Sequence, residues 1–252
     1  MGSPNRLKLS EVMPKTTIFH KTFKSIKKWT PSWISNPLRS TVTALATPVV
    51  FSLQSGHFRS SFKMAAVSPD GQPIPWYTYP CIDFLVERDF SDKVVLEFGG
   101  GQSTLWWAEH AKNVVTLEGN LDWYNTIKSK MPPNVALHHI QSDTPENCIQ
   151  SVESILEAEP FSSYDVIVID GHYRFEMIPI SLRMMSEDGM IICDNAAGYG
   201  FYEGFKDSSL MRVDFVGHTP GVLLTHDTAI YFPPNSFAFR PTQPIPAMVE
   251  HR

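Results

Sequence analysis

The sequence is poor in cysteine: Cys81, Cys148 and Cys193 are the only three in 252 residues. An odd, scattered set builds neither a disulfide framework nor a zinc cluster, and it fits a reducing, cytoplasmic setting. Charged residues are also few, at 19%, against 42% hydrophobic residues, which excludes a wholly disordered chain. Long apolar runs are missing. The longest tract, residues 41–53, is too short to span a bilayer and contains Pro48. No apolar h-region follows the first basic residues, so no signal peptide is expected, and the start lacks the Ser or Thr of a myristoylation signal. Acidic residues are nearly absent from the first quarter of the chain. Residues 1–63 hold ten Lys/Arg and one acid, Glu11, a net of +9, and the remainder sums to −14. Two parts with different partners, or two parts that attract each other, both explain such a split.

What is present begins with a basic amphipathic segment. Ile18, Phe19, Phe23, Ile26 and Trp29 recur at helical spacing over residues 15–29, with Lys21, Lys24, Lys27 and Lys28 between them. Such a helix suits an anionic membrane surface, peripherally bound, or packs on the acidic main domain with its lysines solvated. No nucleic-acid-binding motif accompanies the charge, so no nucleic acid is expected. Turn residues around Pro69 and Pro73 lead into Trp76-Tyr77-Thr78-Tyr79-Pro80, an aromatic run that reads either as a substrate-side rim or as packed linker. The division expected is a basic extension and cap over 1–75, a main domain over 76–235 and a proline-rich tail over 236–252.

Within the main domain, Val94 to Phe98 reads as a buried strand running into Gly99-Gly100-Gly101 and then a helix. A turn of this kind lets a ligand approach backbone, with helix N-terminal amides facing it. Strands then alternate with helices, which predicts an α/β fold: a doubly wound, mainly parallel sheet, with an antiparallel pair at its edge near residues 211–232. Glu118, Asp143, Asp170, Asp194 and Asn195 fall where predicted strands end, the side of such a sheet that binds ligands. Any one of them reads as a helix cap; five together point to a site. A nicotinamide-dependent dehydrogenase fits poorly, because Thr104 stands where the third glycine of G-x-G-x-x-G belongs.

The run Glu97-Phe98-Gly99-Gly100-Gly101-Gln102-Ser103-Thr104 resembles motif I of the class I S-adenosylmethionine (SAM) dependent methyltransferases, and Glu118 resembles the acid after their second strand. The segments 164–174 and 192–195 resemble the catechol, caffeoyl-CoA and macrolide-sugar O-methyltransferase branch. The resemblance covers about residues 90–200. It implies a Rossmann-like enzyme that transfers a methyl group from SAM to a hydroxyl of a small acceptor, a sugar or phenol. Glu97, Gly99, Gly101 and Ser103 would hold the cofactor, its methionine part above all. Glu118 would take the ribose hydroxyls, and Ser142 or Asp143 would lie beside the adenine. Asp170, at the edge of the cofactor site, would join Asp194 and Asn195 in holding a divalent cation, usually Mg²⁺. In that branch a lysine three residues after the first metal aspartate is the base; here Tyr173 stands there, and His172 is the nearest replacement. A metal-independent methyltransferase, in which Asp194 and Asn195 only cap a turn, and a non-catalytic membrane-associated protein remain alternatives.

Overall fold

A computed structural model describes residues 31–243. The predicted helix over 15–29, with its expected membrane contact, and most of the proline-rich tail lie outside the described residues. Two compact units are present, Met1–Phe51 with Ile245–Arg252, and Ser52–Pro244. The described part of the first lies in helix α1 (Ser32–Gln54), which contains both Pro37 and Pro48. No helix among the described residues is long and apolar enough to cross a membrane.

The second unit is built on a seven-stranded sheet. Its strands are β1 (Val94–Phe98), β2 (Asn113–Glu118), β3 (Val135–His139), β4 (Tyr164–Ile169), β5 (Met185–Asp194), β6 (Met211–His218) and β7 (Thr225–Phe232), in the order β3-β2-β1-β4-β5-β7-β6. The first five are parallel, and β7 runs antiparallel between β5 and β6. This is the doubly wound sheet with an antiparallel edge that the sequence predicts. The apolar residues explain it. In β4, Val166 and Val168 face one core layer with Trp106, Trp107 and Tyr77, while Ile167 and Ile169 face the other with Leu96, Met177 and Val152. From Val166 to Ile169 the strand is apolar at every position, and such a run is buried on both faces. Each such side chain contributes roughly 1.5–3 kcal/mol on burial.

Helices cover the two faces. α2 (His57–Lys63) and α3 (Tyr79–Leu85) precede the sheet; α4 (Gln102–His110) follows β1 and α5 (Leu121–Ile127) follows β2. α6 (Pro145–Ala158) shows why such a segment becomes a helix. Thr144 caps it by accepting the Asn147 N–H, Pro145 opens it, and Cys148, Val152 and Leu156 are buried one turn apart. α7 (Met177–Met184) and α8 (Phe201–Phe205) complete the set.

Two elements depart from the sequence reading. The run Gly189-Met190-Ile191-Ile192-Cys193 reads in sequence as the fifth strand, opened by an Asp188-Gly189 turn, yet β5 begins at Met185. Its pairing with β4 steps from Tyr164–Met185 to Val166–Met190, so residues 186–189 bulge out of the ladder. The predicted tail also begins inside the fold: Phe237 and Ala238 are buried and Ser236 donates to the Gly189 carbonyl at 3.1 Å. All three cysteines are buried and unbridged.

Candidate active site

The order of the strands reverses at β1, which pairs with β2 on one side and β4 on the other. A crevice opens at the C-terminal ends of strands at such a point. Here it is a cavity of about 510 Å³, within the range of small-molecule sites. The glycine turn forms its floor. Gly99 has φ 94°, and a Cβ there would stand 2.7 Å from the Asp170 carbonyl oxygen, so β1 and β4 approach too closely for any side chain. A Cβ on Gly101 would meet no protein atom within 4 Å.

Thr104 explains why a third glycine is not needed. Its hydroxyl accepts the Gly101 N–H at 3.0 Å and donates to Glu97 Oε2, closing the turn onto the strand. Thr116 donates to the same oxygen at 3.1 Å. Glu97 is fully buried, Oε1 has no hydrogen-bond partner, and burial pushes its pKa up to about 7 against the pull of nearby hydroxyls. Glu97 is therefore beneath the turn, not on the cavity wall. Ser103 lies on the wall with Gly99 and Gly101.

Glu118 stands at the end of β2 and lines the cavity. Oε2 accepts the Gly100 N–H at 2.9 Å and Oε1 the Asn120 N–H at 2.6 Å. These two bonds orient the carboxylate and leave acceptor capacity on both oxygens. Trp123 joins the wall, its indole N–H donating to the Gly100 carbonyl at 2.7 Å. His172 and Ser142 meet at Gly119: a Cβ on Gly119 would lie 2.6 Å from His172 Nδ1 and 2.8 Å from Ser142 Oγ. Gly119 directly follows Glu118, so His172 stands at the Glu118 end of the cavity. Asp143 lines a shallower recess beside Ser142, and both its oxygens accept from the Asn147 amide.

The acidic end differs from the metal centre that the resemblance implies. Arg174 has a side chain only 11% exposed. Its Nη2 is 2.7 Å from Asp170 Oδ1, Nη1 donates to the Asp194 carbonyl at 2.7 Å and to Asn195 Oδ1 at 3.3 Å, and Nε donates to the Gly171 carbonyl at 3.2 Å. The remaining Asp194 carboxylate is buried and accepts from Thr228 Oγ1 at 3.0 Å, while Asn195 Nδ2 donates to His226 Nδ1 at 3.0 Å. Burial pushes both carboxyls up, and the Asp170 charge raises Asp194 further; Arg174 pulls Asp170 back. Asp170, Asp194 and Asn195 do come together, but around a guanidinium, and they do not fit Mg²⁺. The guanidinium already holds Asp170 Oδ1 and Asn195 Oδ1, and its fixed positive charge among these residues opposes a dication. Among the described residues no group of three or more His, Cys, Asp or Glu is placed to hold a metal ion.

The open end is apolar and aromatic. Met64 and Trp76 line it, with Tyr199, whose ring lies 4.3 Å under the Arg174 guanidinium. Of the aromatic run, only Trp76 reaches the rim; Tyr77 and Tyr79 are core residues. Backbone strain gathers here as well. The non-glycine residues with positive φ, among those described, are Met64, Tyr173 and Asn195, each in or beside the wall.

No protein-family model and no curated protein matches the chain. Solved structures do. An O-methyltransferase from Bacillus cereus, solved with S-adenosylhomocysteine (SAH), aligns over 82% of this chain and 99% of its own, with 16% identity and a TM-score of 0.50. An O-methyltransferase from Streptomyces achromogenes, solved with SAM, aligns over 72% and 87%, with 14% identity and a TM-score of 0.48. Spermidine synthase from Thermotoga maritima aligns over 63% and 59%, with 13% identity and a TM-score of 0.45. The first of these likenesses identifies the fold as the Rossmann-like methyltransferase fold.

Proposed function

We propose that the chain is a SAM-dependent O-methyltransferase acting on a hydroxyl of a small acceptor, a sugar or phenol, without a resident metal. The observation that carries this reading is one continuous cavity with a glycine floor and an oriented carboxylate, Glu118, at one end and an aromatic rim at the other. Bound SAM supplies an electrophilic methyl group on a sulfonium. The Gly99–Gly101 backbone would face its methionine part and Glu118 would accept from the ribose diol, with Trp123, His172 and Ser142 enclosing the nucleoside. Trp76 and Tyr199 would hold the face of the acceptor, since an aryl or sugar ring packs well on aromatic walls.

The methyl transfer is an in-line displacement, in which holding the two reactants in contact supplies much of the rate. Asp170 lines the cavity close to the glycine turn, with a side chain 24% exposed and one oxygen held by Arg174. It is better placed than His172 to take the acceptor proton, because His172 sits against Gly119. Arg174 would fix the Asp170 carboxylate and the Asp194–Asn195 backbone. A screen of hydroxylated acceptors with methyl-labelled SAM tests this. Label transferred to oxygen in the presence of a chelator is the expected result. Transfer only after added Mg²⁺, or only to nitrogen or sulfur acceptors, would overturn it.

A further inference from the structure

One side of the cavity mouth hangs on a histidine far from it in sequence. Trp76 lines the cavity, and its indole N–H donates to the Pro220 carbonyl of the β6–β7 loop at 2.7 Å. One residue further, the Gly221 N–H donates to His57 Nδ1 at 3.3 Å. His57 is the first residue of α2, so two consecutive loop residues link that helix to the rim. All of these groups belong to the second unit.

The helix end of the link is fixed. A Cβ on Gly56 would stand 2.5 Å from the Val67 carbonyl oxygen, and the Ser60 hydroxyl both donates to that carbonyl at 2.9 Å and accepts the Val67 N–H at 3.0 Å. The loop end is a seat that only glycine fits. Gly221 has φ 75°, and a Cβ there would lie 2.8 Å from the Ser60–Ser61 peptide. Beyond it the loop turns outward, with Leu223 and Leu224 exposed.

The Gly221 bond exists only while Nδ1 keeps its lone pair, with the ring proton on Nε2. A second proton turns Nδ1 into a donor facing another donor. Two side chains face the ring: His218, at the end of β6, and Tyr79 of α3, with ring centroids 6.1 and 6.2 Å away. Burial pushes the Tyr79 phenol up, so it stays neutral. On α2 itself, Arg59 donates to the Pro69 carbonyl at 2.7 Å and Lys63 lies at the far end; Ser55 and the loop residues 219–224 bring no titratable group. Burial and the charge of His218 lower the His57 pKa below the ordinary 6.5, against a hydrogen bond to the Thr219 backbone that raises it. The bonded form is therefore fully present above pH 6.5 and is lost as pH falls through the lowered value.

We propose that His57 is a positioning residue and a proton-sensitive latch for the cavity mouth. Neutral, it fastens the β6–β7 loop and, through Pro220, Trp76; protonated, it releases both. Trp76 then leaves its place at the rim in acid, while Glu118 and the glycine floor keep theirs. The latch needs only the cavity and its rim, and it does not depend on the reaction that the cavity serves.

The test follows the Trp76 indole N–H by nuclear magnetic resonance of the full chain from pH 8 to pH 5. The chain has six tryptophans, and the Trp76 signal is the one that Trp76→Phe removes. In the wild type it is expected to move with a midpoint below 6.5. His57→Asn puts an amide oxygen, an acceptor that does not titrate, near the place of Nδ1. Its Trp76 signal should hold the pH 8 position throughout. His57→Ala, with no acceptor, should show the released position already at pH 8. A wild-type signal that stays still would overturn the proposal, as would equal movement in His57→Asn or a wild-type position in His57→Ala at pH 8. The wild type and His57→Asn decide the matter even where His57→Ala fails to fold.

Discussion

Glu97 opens the glycine motif, and for that reason the sequence places it among the cofactor-binding residues. In the fold it is fully buried below the turn, and it holds Thr104 and Thr116 while Thr104 holds Gly101. Nothing in the spacing separates a carboxylate facing a ligand from one facing the hydroxyls beneath it. Its pKa of about 7 has a consequence for stability. The unfolded chain ionises Glu97 near 4.3, so its contribution is fullest below that pH. The contribution declines as pH rises toward 7, where the folded group also ionises, and is level above. The decline is at most on the order of 3 kcal/mol. Urea unfolding at pH 5 and pH 7 should show a smaller loss for Glu97→Gln, the uncharged isostere, than for the wild type. Parallel losses would mean that Glu97 does not titrate between them. Arg174 reads in sequence either as an orienting group for an anionic or polyol substrate or as a solvated arginine, and only the convergence of β4 and β5 gathers Asp170, the Asp194 carbonyl and Asn195 around it.

At the scale of elements, the alternation of strands and helices was legible because buried parallel strands are built around short apolar runs and their helices carry one apolar face. The bulge at residues 186–189 was not, since its residues are polar or glycine and Asp188-Gly189 reads as a turn. The aromatic run near Pro80 was ambiguous in sequence. Pairing decided it: Thr78 donates to the Phe215 carbonyl of β6 at 2.9 Å, and its N–H donates to Thr228 of β7 at 3.0 Å, so Tyr77 and Tyr79 are drawn inward. The end of α2 offers a test at this scale. Met64 caps it at φ 52° with its N–H on the Ser60 carbonyl, a left-handed position that glycine favours, and its side chain is 85% exposed. Met64→Gly is expected to stabilise the fold by about 1 kcal/mol, a rise of roughly 2–4 °C in the melting temperature. A lower melting temperature would show that the side chain contributes packing that its exposure conceals.

For the whole molecule, the fold class and the position of the crevice followed from the sequence, whereas the contents of the crevice followed only in part. Strand ends named Glu118 and Asp170 because a parallel sheet presents its strand ends on one side. The same rule named Asp194 and Asn195 as metal ligands, and the guanidinium among them could not be read from spacing. In the proposed function the glycine floor and Glu118 form a SAM site. Gly101 tests it most directly, since its φ of 179° is open to any residue and a Cβ there meets no protein atom within 4 Å. Gly101→Ala should therefore leave stability within about 0.5 kcal/mol of the wild type, while its methyl group stands where the cofactor would lie. Titration calorimetry with SAH should give one-site binding to the wild type and an affinity about tenfold or more weaker for Gly101→Ala, at an unchanged melting temperature. Equal SAH affinity in the two proteins, or heat with NADH and none with SAH, would contradict the account.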